Sequence, residues 1–260
     1  MFEYNFMQNA LMAILLASIM GGIIGYLVLL RRLAFAAHGL GHISFTGAAL
    51  ALLINVSPIY GQFLSTLLAG FLMGLLGDSL QKRDVTIAIV LSFMLGLGML
   101  FLHYYEGSAH TATNLLFGDV LGVSMDEIYW MAIAAGISLI ILAFILRPLV
   151  FSSISPQLAE AKHVPSRLLG IIFMLLMAAS VTLVNQIVGA LLVFALLVGP
   201  AAISINMTSS FWTGMLFSVI IAVILSVLSL LLAFQWNLPV SVCLTGLVTV
   251  GYFISLLKRV

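Results

Sequence analysis

Long apolar runs with almost no charge are the feature that most constrains how this chain can fold. They lie at about 10–30, 35–56, 61–78, 85–104, 128–147, 168–185, 187–205, 211–234 and 239–257. Each run is close to the roughly 20 apolar residues that a helix needs to cross a membrane, and none alternates apolar with polar residues as barrel strands do. The sequence therefore predicts an all-α, polytopic integral membrane protein with eight or nine transmembrane helices.

The scarcity of charge supports a lipid-facing surface. Hydrophobic residues make up 63% of the 260 residues and charged residues 7%, against roughly a quarter charged in soluble domains. Nine basic and eight acidic residues do not form the basic stripe that a nucleic-acid partner requires. The lipid membrane is therefore the expected surrounding, and nucleic acid is excluded as a partner.

The distribution of basic residues predicts the orientation. Arg31 and Arg32 follow the first run, and the other basic residues follow the third run, surround the fifth-to-sixth connection and end the chain. With nine crossings and an outer N-terminus, all of them lie in the cytoplasm, as the positive-inside rule requires; eight crossings would move the N-terminus to the other side. The longest connections are then an outer loop at about 105–127 and a cytoplasmic loop at about 148–167. We expect residues 1–260 to form one transmembrane domain.

Two histidines lie inside the second apolar run. His38 and His42 are four residues apart, so on a helix they stack on one face. Ionisable residues in a membrane span usually face the bundle interior or an aqueous path, and two imidazoles make a borderline-soft site suited to zinc, manganese or iron. The alternative is that both rings only hydrogen-bond to backbone or water near the cytoplasmic interface. Spacing alone leaves both interpretations open.

Enzymatic activity is not expected of this chain. A zinc protease of the His-Glu type needs glutamate directly after the first histidine, and Gly39 stands there. A phosphate-binding P-loop needs glycine directly before lysine, whereas the three lysines follow Gln81, Ala161 and Leu257. The chain has no ATPase site and is expected to bind no cofactor, so ATP would act only through a separate polypeptide.

Weaker candidates lie around the outer loop. Three of them surround its start and one belongs to the stretch LLFGDVLG; as a set they are His103, Glu106, His110 and Asp119. They either receive a cation or are ordinary solvated residues, and Asp119 alternatively caps a short helix.

Polar residues near predicted helix ends are expected to form interhelical hydrogen bonds; these are Asn185, Gln186 and Asn206.

Four segments together resemble a known family. They are VLLRRLAFAAHGLGHISFTGAALAL, LLFGDVLGVS, SPQLAEAKHV and QIVGALLVFALLVGPAA, in that order along the chain. The chain resembles the membrane-spanning permease of bacterial ABC importers for zinc, manganese or ferrous iron. The resemblance extends over most of the 260 residues.

The first of these segments implies a metal site. In the family it typically carries aspartate and, four residues later, histidine as metal-coordinating residues of the translocation pathway. The matching positions are His38 and His42, so the second position agrees and the first departs. A nitrogen ligand in place of a carboxylate favours zinc over manganese, which makes zinc the expected cargo, with manganese and iron as alternatives.

The cytoplasmic segment implies a coupling helix that docks on the ATPase. The family usually has Asp-Pro-Glu, an alanine two residues later and then a glycine, whereas this chain keeps only the proline and the alanine. Pro156 suits a helix start, and Pro165 would end the helix. The residues to which the resemblance assigns docking are Pro156, Gln157, Leu158, Ala159, Glu160, Ala161 and His163.

The family resemblance also implies an assembly and a mechanism. It implies a homodimer with two ATPase subunits and an external metal-binding protein, located as a multi-pass protein in the bacterial inner membrane. The ion would reach His38 and His42, and ATPase closure would switch the exposed side by alternating access. Two alternatives are a proton-coupled secondary metal transporter without an ATPase, which would use histidine titration, and a membrane scaffold that transports nothing.

Overall fold

The computed structural model describes residues 5–75, 80–105, 118–190 and 193–257, and within these ranges the regular structure is entirely helical. The predicted all-α class is therefore confirmed. The helices, in chain order, are α1 (Asn5–Leu30), α2 (Ala34–Leu53), α3 (Pro58–Leu75), α4 (Leu80–Tyr104), α5 (Met125–Ile154), α6 (Pro156–Ala161), α7 (Ser166–Val188), α8 (Val193–Met207), α9 (Phe211–Trp236) and α10 (Val240–Leu257).

Each predicted apolar run overlaps one of these helices over most of its described residues. Eight of them are long and apolar enough to cross a membrane, namely all except α6 and α8. The 15 residues of α8 extend only about 22 Å, less than the roughly 30 Å hydrocarbon core. Among the described residues, the choice between eight and nine spans therefore depends on α8.

The boundary between α7 and α8 differs from the predicted one. The sequence predicts spans at 168–185 and 187–205, whereas α7 ends at Val188 with Gly189 as its C-cap. Gly189 has φ +85°, a left-handed conformation that glycine adopts without the steric cost that a Cβ would bring. This residue stops the helix and lets the chain turn before α8 begins.

α5 is longer at both ends than the predicted run at 128–147. Ser124 and Glu127 form a reciprocal capping box at its start, which satisfies two backbone donors, and the helix continues through Pro148 to Ile154. Its 30 residues extend about 45 Å, more than the hydrocarbon core requires. The connection predicted at 148–167 is therefore partly helical and α6 follows directly, while residues 106–117 of the predicted outer loop lie outside the described residues.

The packing places α2 in a central position. α2 packs against α3 and α4, α7 packs against α3, and α1 packs against α8 and α9. Most of α1, α2 and α7 is buried, whereas α4, α5, α9 and α10 expose most of their apolar surface, as helices facing lipid do. Neighbouring helices therefore cover most of the helix that carries the two histidines. The end of the bundle with Arg31, Arg32 and α6 is the one that the positive-inside rule predicts to face the cytoplasm, and the opposite end is the predicted outer end.

Candidate functional site

The two histidines of α2 converge on a single point. Their Nε2 atoms lie 3.3 Å apart, and the ring planes are nearly perpendicular, at 89°. Two nitrogens bound about 2.05 Å from one tetrahedral zinc ion would lie roughly 3.3 Å apart. The pair therefore has the separation of two ligands of one metal ion, and in the absence of an ion the same distance fits a hydrogen bond between the rings.

Close contact between α2 and α8 holds the pair in place. Phe194, the second residue of α8, packs edge-to-face on the His38 ring with centroids 5.6 Å apart. A side chain at Gly41 would overlap Val193 and crowd the carbonyl oxygen of Ala190, so the glycine lets the start of α8 approach. The turn at Gly189 thus directs α8 onto the histidine-bearing part of α2.

The histidine face of α2 is incompletely covered. Between residues 34 and 49, only Ala34, Phe35, His38 and His42 are partly or fully exposed, and the other positions are buried. In the described ranges no group of three or more His, Cys, Asp or Glu residues is placed to hold a metal. The two imidazoles therefore leave further coordination positions to water or to another chain.

Polar contacts join α2, α3 and α7 beside the pair. Asn185 donates through Nδ2 to the Ser44 hydroxyl at 2.8 Å, and Gln186 donates to the Gln62 carbonyl at 3.0 Å. Asn206 likewise donates to Ser255, linking α8 to α10. The interhelical hydrogen bonds predicted for the three amide residues are therefore confirmed.

The structure places the two described members of the weaker set of candidate metal ligands, His103 and Asp119, in different parts of the molecule. His103 is exposed on the last turn of α4, and Asp119 is exposed in the segment before α5. Glu106 and His110 lie outside the described residues. Asp119 accepts a hydrogen bond from the Gly122 amide at 3.0 Å, which stabilises a turn rather than the short helix considered as an alternative. Asp119 also lines a cavity with Glu127, and His103 is not among the residues that line it.

The predicted coupling segment forms a short exposed helix. α6 starts at Pro156 and ends at Ala161, close to the predicted limits. Ala159 is fully buried, whereas Leu158 is 58% exposed and the remaining assigned positions, from Pro156 to His163, are exposed. The segment to which the resemblance assigns docking is therefore mostly exposed.

Several polar residues of the bundle were not anticipated. Thr66 and Thr182 form a buried hydrogen bond of 2.7 Å between α3 and α7, and Gln62 is buried beside them. Ser and Thr are common in apolar membrane helices, so their presence alone gave no signal. The Ser124-Glu127 spacing was a readable signal for the start of α5.

The fold and the site together define a multi-span helical membrane protein with ionisable side chains on a central helix. A model of the ABC 3 transport family matches residues 3–259. The chain therefore belongs to the ABC 3 transport family, and its resemblance to metal-type ABC permeases is confirmed. The family and the eight spans also confirm the predicted location as a multi-pass protein of the bacterial inner membrane.

Individual relatives match nearly the whole chain. The manganese import system permease protein ScaB of Streptococcus parasanguinis is 30% identical over 258 residues, which cover 97% of this chain and 90% of that protein. A membrane protein named for an iron transport system in Haemophilus influenzae is 25% identical over 255 residues, covering 98% and 94%. PsaBC from Streptococcus pneumoniae, solved in complex with a Fab, has the same fold: its TM-score is 0.86 at 24% identity, with 97% of this chain and 91% of that chain covered.

Proposed function

We propose that this chain is the permease subunit of an ATP-driven importer that moves a divalent transition-metal ion across the membrane by alternating access. The observation that carries the proposal is the convergence of His38 and His42 Nε2 at 3.3 Å on a membrane-spanning helix of an ABC 3 family member. Intramembrane ionisable residues commonly mark an ion pathway. The chain contributes the pathway, and a separate subunit hydrolyses ATP.

Ligand chemistry and relatives point to different metals. Two imidazole nitrogens favour zinc over manganese, and their separation fits a tetrahedral zinc ion. The compared relatives are named for manganese and iron, which supports one of those ions as cargo. We propose zinc because the ligand set belongs to this chain, with manganese as the principal alternative, and uptake of ⁶⁵Zn beside ⁵⁴Mn distinguishes them.

The proposed assembly is a dimer of single-domain permeases, each formed by residues 1–260, with two ATPase subunits and an external metal-binding protein. The incompletely covered face at Phe35, His38 and His42 supports it, because a second copy or water must complete the metal coordination. The name of ScaB, an import system permease protein, supports partner subunits of this kind.

The proposed coupling element is α6, and Arg31 connects it to the histidine helix. Arg31 lies in the turn between α1 and α2 and donates from Nη1 to the Ser153 hydroxyl at 2.8 Å. Its guanidinium also lies 5.4 Å from the Phe173 ring centre in α7, a favourable cation–π contact. Because Ser153 is in the last turn of α5, movement of α6 is transmitted to the start of α2.

Arg31→Met tests this connection. We expect uptake to fall roughly tenfold, which is equivalent to losing one hydrogen bond from a charged donor, while ATP hydrolysis by the complex persists. Arg32→Met is the matched control, because Arg32 is adjacent and exposed and the change removes the same charge from the same turn. Equal uptake by the two variants at equal membrane levels would remove Arg31 from the coupling route.

Dependence on an ATPase tests the function as a whole. Cells producing the permease with its binding protein should accumulate ⁶⁵Zn or ⁵⁴Mn only when the partner ATPase is intact, and an ATPase variant that cannot hydrolyse ATP should reduce uptake to background. Uptake that persists without the ATPase and collapses when the proton gradient is dissipated would instead establish the proton-coupled secondary transporter. No metal accumulation under any condition would leave the scaffold interpretation.

A further inference from the structure

The cavity lined by Asp119 and Glu127 lies at the predicted outer end of the bundle. It has a volume of about 230 Å³ and is bordered by the start of α3, the end of α7 and the segment that leads into α5. Its polar lining includes Gln62, Asp119, Glu127, Asn185 and Gln186. None of the described lining residues is basic, so two carboxylates give the cavity a negative potential that attracts cations.

Asn185 lines this cavity and has a buried side-chain oxygen without a hydrogen-bond partner among the described residues. Its side chain is 3% exposed, Nδ2 donates to Ser44, and within the described residues Oδ1 has no hydrogen-bond partner. A buried acceptor without a partner costs about 1–3 kcal/mol and is rare in folded proteins. A ligand that accepts electron density from Oδ1, such as a metal ion or a water bound to one, would explain why the position is polar.

The surrounding oxygens are held in place by local hydrogen bonds. Gln62 is 3% exposed, and its carbonyl oxygen already accepts from Gln186, which fixes its direction and leaves a second lone pair. Glu127 is held by the Ser124 amide at 2.9 Å. Carboxylate and amide oxygens are the ligands that hard, partly hydrated divalent cations prefer.

The cavity lining is linked to α2, the helix that carries the histidine pair, through Asn185. Ser44, the partner of Asn185, follows His42 by two residues on α2, which is about 3 Å along the helix axis. Ser57 and Pro58, at the loop that joins α2 to α3, line the cavity from the outer side. The hydrogen bond from Asn185 to Ser44 therefore connects the cavity lining to the helix that carries the imidazoles.

We propose that this cavity is a second, oxygen-lined cation site, in which Asn185 and Gln62 with Asp119 and Glu127 bind a partly hydrated divalent ion before it passes to the histidines. The inference rests on the proposed function for the direction of travel, whereas the binding itself is independent of it. In this site, fixed protein oxygens replace some of the water molecules bound to the ion. The two histidine nitrogens then replace further water molecules.

The test of the site is a Mn²⁺ titration of the purified permease–ATPase complex. Binding is detected as the loss of the electron paramagnetic resonance signal of hydrated Mn²⁺. The double variant His38→Ala/His42→Ala should still bind one Mn²⁺ per permease chain, and adding Asn185→Leu should weaken that binding at least tenfold. Adding Thr182→Val is the matched control: Thr182 also forms a buried polar contact from α7 but does not line the cavity, so binding should be unchanged.

Two outcomes overturn the proposal: loss of all Mn²⁺ binding in the double histidine variant, or equal Mn²⁺ affinity with Asn185→Leu and with Thr182→Val. If Asn185→Leu fails to fold, Asn185→Asp replaces it and should tighten Mn²⁺ binding about tenfold, and unchanged affinity there also overturns the proposal. Failure of the proposed function has a different signature, because ATPase-independent uptake would leave these Mn²⁺ titrations unaltered.

Discussion

We expect His42→Ala to abolish metal uptake while the protein still inserts and assembles. His42 supplies one of two nitrogens that converge at 3.3 Å, and the structure offers no third ligand of the same kind in its described ranges. Loss of partners that merely orient a metal ligand typically costs 10–100-fold. Loss of the ligand itself should therefore reduce uptake at least about 100-fold.

The fold of this variant should persist because the His42 ring is only half-buried and alanine favours the helix. His103→Ala is the matched control, since it makes the same change at an exposed histidine on α4, and it should transport normally. Both variants are compared with wild type by ⁶⁵Zn and ⁵⁴Mn uptake at matched membrane levels. Equal uptake by the two histidine variants would exclude His42 from the pathway.

Among the substitutions proposed here, Gly25→Ala should cause the largest loss of folding stability. Gly25 of α1 faces α8, and an added Cβ would overlap the carbonyl oxygen of Leu197. Overpacking of a well-packed core usually costs about 1–3 kcal/mol. Because the obstructing atom belongs to the backbone and cannot rotate away, we expect the cost to exceed roughly 3 kcal/mol.

The measurement is the thermal unfolding midpoint of the purified protein in detergent. Gly136→Ala is the control: it makes the same change within α5, where an added Cβ has no atom within 4 Å. That variant should keep or raise its midpoint, since alanine is favoured over glycine in a helix by roughly 0.5–1 kcal/mol. A midpoint for Gly25→Ala as high as that for Gly136→Ala would contradict the observed packing of α1 on α8.

The transmembrane spans are predictable from the sequence because a lipid environment allows few backbone structures. A backbone in hydrocarbon must satisfy its own hydrogen bonds, so each long apolar run in the sequence corresponds to a helix. The convergence of His38 and His42 follows from their four-residue spacing, and the start of α6 at Pro156 follows from the fixed φ of proline.

Other parts of the site depend on three-dimensional packing that hydropathy does not encode. The rotation of α7 decides that Asn185 meets Ser44 and leaves one oxygen unpaired, and the turn at Gly189 decides that Phe194 reaches His38. Neither is visible in a run of apolar residues. The start of α5 was predictable in principle, but the neighbouring Asp126 and Glu127 resembled an acidic loop instead of the first turn of a capped helix.

We propose that the two imidazoles of α2 bind the transported metal together. X-ray absorption at the zinc edge, on the purified permease–ATPase complex loaded with one Zn²⁺ per permease chain, tests it most directly. We predict imidazole nitrogens at about 2.0–2.1 Å in the wild type and the loss of that imidazole signal in His38→Ala/His42→Ala. The same imidazole coordination in both proteins would place the metal elsewhere and contradict the claim.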